Sequence, residues 1–376
     1  MVKEKIRLRD MTPRPHGFEN AFAGLTVLEL AGVLAGPAVG MFFAELGARV
    51  VKIENGPAGG DLTRHWKLPS ENPESPVSAY YASVNWGKEI RQMDLRQSED
   101  QAAVHELARQ ADIVVTNFKE QAALRMRMDP STLLALNPGL IVAELSGFGP
   151  DDDRVAFDVV LQAEAGFLYM TGEPGRPPVK MPVALIDLLA AHQLKEGLLV
   201  ALLQRARTGK GGLLRVSLLA SAVASLANQA TNWLMGGHVP QPMGTLHPNI
   251  APYGEMFRTA DQRLVLLAVG TDKQFEGLCA VLNHRDWLLD DRFATNRERV
   301  IHRLDLARAL ETAIEVVSSD AFLGACHHHQ VPAGLVRNMP EVFEQPLAAG
   351  MVLEDVLEDG QAGRRVKTVA FEWRPV

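Results

Sequence analysis

From residue 25 onward the chain alternates short apolar runs with longer stretches of helical period. Leu25-Thr-Val-Leu-Glu-Leu30 is a β-branched and leucine run that predicts a strand, and Gly36-Pro37 turns the chain into a helix over 38–46. Proline suits the first turn of a helix, where its missing N–H would have no partner anyway. Gly47 stops that helix, and Ala48-Arg-Val-Val-Lys-Ile53 predicts the next strand. Further strands are expected over 112–116 and 140–145, with helices over 99–110 and 130–136 between them. Strands alternating with helices predict a parallel α/β sheet of the doubly wound kind. Ligands of such sheets bind at the carboxyl ends of the strands.

The second half reads differently. Residues 157–226 are mostly helical in pattern, broken by a loop over 172–182 and a strand over 213–218. Residues 236–252 are rich in glycine and proline and predict a domain crossing. After it, the apolar runs 253–259 and 263–269 flank Ala260-Asp-Gln and predict a β-hairpin. Helical segments follow over 272–326, then a strand-like stretch at 334–337 and a helix over 339–344. There is no internal repeat. The start, 1–20, alternates basic and polar residues without an apolar h-region, so it predicts a loose leader and no secretory signal.

Asp187 stands out against this pattern. It is the single acid in Met181-Pro-Val-Ala-Leu-Ile-Asp-Leu-Leu-Ala190, an apolar run leading into a long helical pattern that ends at Gln204-Arg-Ala-Arg-Thr-Gly-Lys-Gly211. An ionised carboxylate in such surroundings costs several kcal/mol to desolvate unless it is paired or catalytic. Two readings stand side by side: an acid that caps the following helix, and a reactive carboxylate.

Composition narrows the classes. With 376 residues, 47% hydrophobic and 22% charged, the chain is long enough for about two globular domains. The net charge of −7 argues against a nucleic-acid partner but leaves room for a local basic pocket. Lys88, Arg91, Arg96, Lys119, Arg125 and Arg154 recur at predicted strand ends and loops, where several together could receive a polyphosphate. No apolar run is long enough to span a bilayer, so no membrane is expected, and two cysteines, Cys279 and Cys326, suit a reducing cytoplasm. The turn Ala31-Gly-Val-Leu-Ala-Gly36 does not spell G-x-G-x-x-G, which weakens a nicotinamide reading. Its helix N-terminus still faces the carboxyl edge of the sheet, where N–H groups can meet an anionic or carbonyl ligand. Cys326-His-His-His329 invites a metal hypothesis, but consecutive helical residues point in different directions and no second ligand pair has matching spacing, so no metal is expected. No G-x-S-x-G elbow or Cys–His nucleophile pair is present.

Taken in order, the pieces resemble the class III CoA-transferases, the family of formyl-CoA:oxalate and carnitine CoA-transferases and of α-methylacyl-CoA racemase. Gly24-Leu-Thr-Val-Leu-Glu-Leu30, Ala35-Gly-Pro37 and Leu46-Gly-Ala-Arg-Val-Val-Lys-Ile-Glu54 are similar to its opening signature. Gly60-Asp-Leu-Thr-Arg64, Asn85-Trp-Gly-Lys88, Met93-Asp-Leu95, 112–118 and 136–149 continue it. Phe157-Asp158, Thr171-Gly172, Asp187, Arg207-Thr-Gly-Lys-Gly211, His247-Pro248 and Pro252-Tyr253-Gly254 complete it. The resemblance runs from about residue 24 to the end, which comes at Pro375-Val376, before the family's usual carboxyl tail.

The resemblance implies a Rossmann-like large domain over 24–230 and 335–376, a smaller α+β domain over 231–334, a flexible leader over 1–23, and an interlocked homodimer. It makes Asp187 the nucleophile toward an acyl-CoA substrate, with no permanently bound cofactor. It places CoA contacts at Leu34 and Ala35, Asn55, Met93, Asp94, Leu95 and Arg96, Asn117, Phe118 and Lys119, Arg125, and Arg154, Val155, Ala156 and Phe157. Asn55 stands where the family often carries an arginine, and Leu34 where the oxalate enzyme has glutamine. Lys119-Glu-Gln121 replaces that enzyme's Gly-Pro-Gly turn. The racemases pair the aspartate with a histidine, and Phe157 occupies that place, which favours transfer over racemisation. A non-catalytic CoA-binding homologue is the third reading, and the retained Asp187 argues against it. The acyl donor and the acceptor acid are left open, with small dicarboxylates such as oxalate or succinate, carnitine-type acids and aromatic acids all admitted.

Overall fold

The computed structural model describes residues 17–357 and 360–373. Its centre is a six-stranded parallel sheet of β1 (Thr26–Leu30), β2 (Arg49–Asn55), β3 (Glu89–Met93), β4 (Ile113–Thr116), β5 (Ile141–Ser146) and β6 (Gly212–Ser217). The spatial order is β3-β2-β1-β4-β5-β6, so the chain reverses direction of travel between β1 and β4. In a doubly wound sheet that reversal opens a crevice at the carboxyl edge.

Both faces of the sheet are covered, which is why its strands read as nearly unbroken apolar runs. Side chains alternate along each strand. Val27, Val50, Ile113, Val115 and Ile141 pack on one face against Val39 and Phe43 of helix α1 (Ala35–Glu45) and Leu194 of the long helix Leu185–Thr208. Leu28, Val51, Val114 and Val142 pack on the other against Val104 and Leu133 of the helices Ser98–Gln110 and Pro130–Leu136. Gly209, with φ of 72°, ends the long helix in the left-handed conformation that glycine adopts without strain. In its last turn Arg205 pairs with Asp112 at 3.0 Å and donates to the carbonyl of Gly139, tying the helix to the starts of β4 and β5.

The expected elements recur with shifted ends. α1 begins at Ala35 rather than 38, because Pro37 falls in the first turn, where no N–H is needed. The strand expected to 218 stops at Ser217, whose hydroxyl accepts the Ala220 N–H and caps the next helix. β3 has no counterpart in the apolar pattern, since an edge strand of sequence EIRQM exposes much of its length. The helix Glu120–Met126 and the hairpin of Val352–Val356 and Ala362–Val366 are also additions, both short and largely exposed.

The chain divides into two compact units. One holds the sheet and comprises the chain up to Leu168, Lys180–Val239, and everything from Pro346 on. In its final segment the Thr368 and Val369 amides donate to the Glu45 carboxylate, and Val369 is buried in the α1 core. Of the leader expected over 1–23, residues 1–16 lie outside the described residues; Phe22 packs against Phe42 and Phe43, and Phe18 stacks on Trp373.

The other unit comprises Tyr169–Val179 and Pro240–Gln345. It is α+β, with an antiparallel sheet of β7 (Tyr253–Arg258), β8 (Leu264–Ala268) and β9 (Ala333–Leu335). Phe257, Val265, Phe275, Leu310 and Phe322 form its core. Cys279 and Cys326 are buried there as free thiols, both pushed up to about 12 chiefly by burial. Cys326 thus faces inward while His327, His328 and His329 are exposed, so the run does not converge on one point.

Candidate active site

Asp187 is the third residue of the long helix and is buried, with 8% of its surface exposed. The helix start has no cap of its own, because Ala184 precedes it. The capping is done from a distance by Asp158, the first residue of the helix Asp158–Glu164. Its Oδ1 accepts the N–H of Ile186 at 2.7 Å and that of Asp187 at 3.4 Å, and its Oδ2 accepts from the Gln162 amide at 2.6 Å. The cap that the helix start needs is therefore Asp158, and the Asp187 side chain is left over. Among the described residues nothing donates a hydrogen bond to the Asp187 carboxylate, and no basic side chain pairs with it. Burial first, and the neighbouring Asp158 charge second, push its carboxyl up to about 7. The helix N-terminus favours the anion and acts in the opposite sense.

Aromatic residues stand beside this pair. The Tyr80 hydroxyl is pushed up to about 12 by burial and then by the charges of Asp187, Asp158 and Asp61. Trp66 meets the Tyr80 ring edge-on at 5.1 Å and lies 6.4 Å from Phe157. Phe157 sits at the N-cap of the Asp158 helix, 43% exposed.

A cavity of about 570 Å³ opens at the carboxyl ends of β1 to β4. It gathers Asn55, Met93, Asp94, Leu95, Arg96, Asn117 and Phe118 from three separate stretches of sequence. The other expected contacts are not in its lining. Leu34 and Ala35 open α1 directly behind the turn at Gly32 and Val33, which is lined into the cavity. Lys119 stands at the N-cap position of the helix Glu120–Met126 without a side-chain cap bond, and its ammonium donates to the carbonyl of Asp153. Arg125 is exposed in the last turn of that helix. Arg154 lies over the Phe148 ring at 3.6 Å and pairs with Asp152, while Val155 is 68% exposed and Ala156 packs near Gly147.

The basic residues are less available than their spacing predicts. The Lys88 side chain is fully buried and pairs with Glu29 at 2.7 Å, with burial lowering its ammonium to about 8. It cannot reach a phosphate. Arg91 pairs with Glu89, and Arg96 forms a two-pronged contact with Asp94 at 2.8 and 2.9 Å. That contact holds the Asp94 carboxyl down at about 2.

Beneath the cavity lies a buried set of charges. Glu29 of β1 and Lys52 of β2 are register partners in the parallel ladder and pair at 2.9 Å. Lys52 also pairs with Asp61 at 3.0 Å and donates to the carbonyl of Ala31 at 2.8 Å. Burial works against its charge, but Glu29 and Asp61 together raise Lys52 above the ordinary lysine range. Burial works against Asp61 too, yet Lys52 and Thr63 hold its carboxyl below its usual value. Val33 adopts φ of 73°, an outlying conformation for a β-branched residue. Its N–H points at both Asp61 oxygens, at 3.3 and 3.4 Å.

Sequence reasoning did not single out Trp66 or Tyr80, and took Lys52, Asp61 and Asp158 only as parts of a signature. For Glu29 and Lys52 the signal was there: one charge of each sign interrupts two adjacent apolar strands at register-matched positions. Trp66 and Tyr80 lie in irregular, polar sequence and offered none.

Comparison with known proteins agrees with this architecture. The family model described as CoA-transferase family III matches residues 22–375, and the chain belongs to that family. It is an enzyme that transfers CoA. The succinate–glutarate CoA-transferase of Agrobacterium fabrum is 38% identical over 354 residues, covering 92% of this chain and 88% of that one. The succinyl-CoA:glutarate CoA-transferase of Homo sapiens is 32% identical, covering 88% and 75%. A CAIB/BAIF family protein from Brucella suis has the same fold, with a TM-score of 0.79 at 35% identity over 92% of this chain and 91% of that structure.

Proposed function

We propose that the protein moves CoA between carboxylic acids by covalent catalysis at Asp187, with succinyl-CoA and glutarate the first donor and acceptor to try. The observation that carries this reading is a buried carboxylate, left without a hydrogen-bond donor or counter-ion, whose structural duty is already performed by Asp158. Such a group is poorly solvated and correspondingly nucleophilic once ionised.

The ionised Asp187 oxygen attacks the thioester carbonyl; the C–S bond breaks, CoA leaves as thiolate and a mixed anhydride forms. The thiolate then attacks the aspartyl carbonyl, releasing the donor acid and leaving CoA on Asp187 as a thioester. The acceptor carboxylate displaces the thiolate to form a second anhydride. Thiolate attack on the acceptor carbonyl gives the new acyl-CoA and restores Asp187. Each step keeps the activation of the original thioester. The anhydrides require a dry site, and we assign the exclusion of water to the clustered rings of Trp66, Tyr80 and Phe157, the last of which directly precedes Asp158 in the chain.

The cavity at the carboxyl edge is read as the seat of the CoA portion, with Asn55, the 93–96 strip, Asn117 and Phe118 around it. Arg96 would exchange Asp94 for a phosphate. The succinate and glutarate assignment rests on the names of the relatives. Mass-spectrometric detection of CoA exchange, with succinyl-CoA offered to glutarate and then to a panel of mono- and dicarboxylic acids, tests it. No transfer to any acid would refute the mechanism, and transfer only to others would reassign the substrate.

The reading includes an intertwined homodimer. Trp233, Leu234 and Met235 at the end of the helix Ala227–Gly236 are 54%, 78% and 85% exposed, a patch that a second copy would cover. The free buried cysteines suit a cytoplasmic setting. Among the described residues no helix is long and apolar enough to cross a membrane.

A further inference from the structure

Four backbone polar groups of the Ala31–Val33 turn are held by side chains from elsewhere in the chain. The Ala31 carbonyl accepts from Lys52. The Gly32 N–H donates to the Asn117 side-chain oxygen at 3.2 Å, and the Gly32 carbonyl accepts from the Asn117 amide at 3.1 Å. The Val33 N–H meets Asp61. Three elements remote in sequence thus grip three consecutive residues. The last of the three is a valine in the left-handed region, a conformation its branched side chain disfavours. Without outside restraint such a residue relaxes to negative φ and carries the turn with it.

We propose that the Lys52–Asp61 ion pair is a positioning device that keeps the Ala31–Val33 turn in its strained shape, so that the cavity and the start of α1 are set for the CoA thioester before it arrives. This rests on reading the cavity as the CoA seat. Lys52 and Asp61 lie in the floor of the cavity, but their side chains are only 1% and 2% exposed and offer a ligand almost no surface. The Asp61 oxygens are taken by Lys52, by the N–H and hydroxyl of Thr63 and by Val33. Both residues therefore act through the backbone they hold, and preorganisation is what they contribute.

The valine makes the idea separable from general stability. If Asp61 serves to hold Val33 at positive φ, glycine at that position removes the need, because glycine adopts this region at no steric cost. The experiment compares the wild type, Asp61→Ala, and the double variant Asp61→Ala with Val33→Gly. Coenzyme A binding is followed by calorimetry, and amide hydrogen exchange across residues 28–38 is followed without ligand. Asp61→Ala should weaken CoA binding at least about tenfold and speed exchange in that peptide, and the double variant should return to within about threefold of wild type. Wild-type affinity and exchange in Asp61→Ala would overturn the proposal. So would a double variant as weak and as fast-exchanging as the single one, since the pair would then act only through general stability. If the wild type itself does not bind CoA, the reading of the cavity falls, and the exchange comparison alone decides whether the turn is held by Asp61.

Discussion

The Asp158 carboxylate accepts the backbone N–H groups of Ile186 and Asp187 while its charge raises the carboxyl of Asp187 beside it. One residue thus builds the helix start that carries Asp187 and adds to the cost of ionising it. Burial is the larger cause and Asp158 the smaller.

Replacing Asp187 by alanine should abolish transfer, with a loss of at least about a thousandfold in kcat, while CoA affinity stays within a few-fold. The reason is that Asp187 is not among the residues lining the carboxyl-edge cavity. In the wild type, incubation with acyl-CoA and hydroxylamine should leave a modification on Asp187, read by peptide mass spectrometry. Near-normal turnover in the alanine variant would remove Asp187 from the mechanism.

The pH profile follows from the raised carboxyl. Only the ionised form attacks, so kcat/KM should rise with pH and level off above an apparent value of about 7. Asp158→Asn keeps an oxygen for the two backbone amides but removes the charge, so the rise should move to lower pH by about one unit or less. An unmoved profile in that variant would mean that the charge of Asp158 plays no part.

Stability should carry the same signature with its own sign. The folded carboxyl titrates near 7 and the unfolded one near 3.8, so the native state binds more protons between those values. Stability from this group is therefore present at low pH and lost as pH rises through that window. Asp187→Asn removes the loss and should stabilise the protein by on the order of 2 kcal/mol at pH 8, and by clearly less at pH 5. Urea unfolding at the two pH values checks this; an equal gain at both would contradict the assigned titration.

Phe157 bears on the choice between transfer and racemisation. By the sequence resemblance it takes the place of the racemases' histidine, and phenylalanine has no proton to give to the opposite face of an α-carbon. An (R)- or (S)-2-methylacyl-CoA incubated with enzyme in deuterated water should show no enzyme-dependent α-deuteration. Ping-pong exchange of label between a free acid and an acyl-CoA should appear instead. Rapid α-deuteration without CoA exchange would reverse the assignment.

An intertwined homodimer predicts unusual kinetics of association. Light scattering at micromolar concentration should give twice the 41.1 kDa chain mass, and differently labelled dimers should not exchange subunits unless unfolded. A monomer, or exchange within minutes under native conditions, would be incompatible with interlocking. Substituting Leu234 and Met235 by serine should lower the yield of dimer if their exposed patch is covered by the second copy.

Much of this was legible in the sequence because the signals were local. Apolar runs such as 112–116 declare strands wherever both faces of a sheet are covered, and glycines such as Gly209 declare helix ends. Asp187 announced itself as the one acid in an apolar stretch. Its place in a family followed from an ordered series of short motifs. Tertiary structure decided what those motifs do to one another. Only the fold shows that Asp158, far back in the chain, caps the helix that was open at Ala184 and so leaves Asp187 without structural employment. Only the fold turns Lys88 inward onto Glu29 and ties Arg96 to Asp94, which spacing alone had offered to a phosphate. The strain at Val33 and the rings of Trp66 and Tyr80 come from turns and a single helical turn too short to carry periodicity. Periodicity reports which side of an element is buried; hydrogen-bond partners and local charge depend on contacts across the chain, which no window of sequence contains.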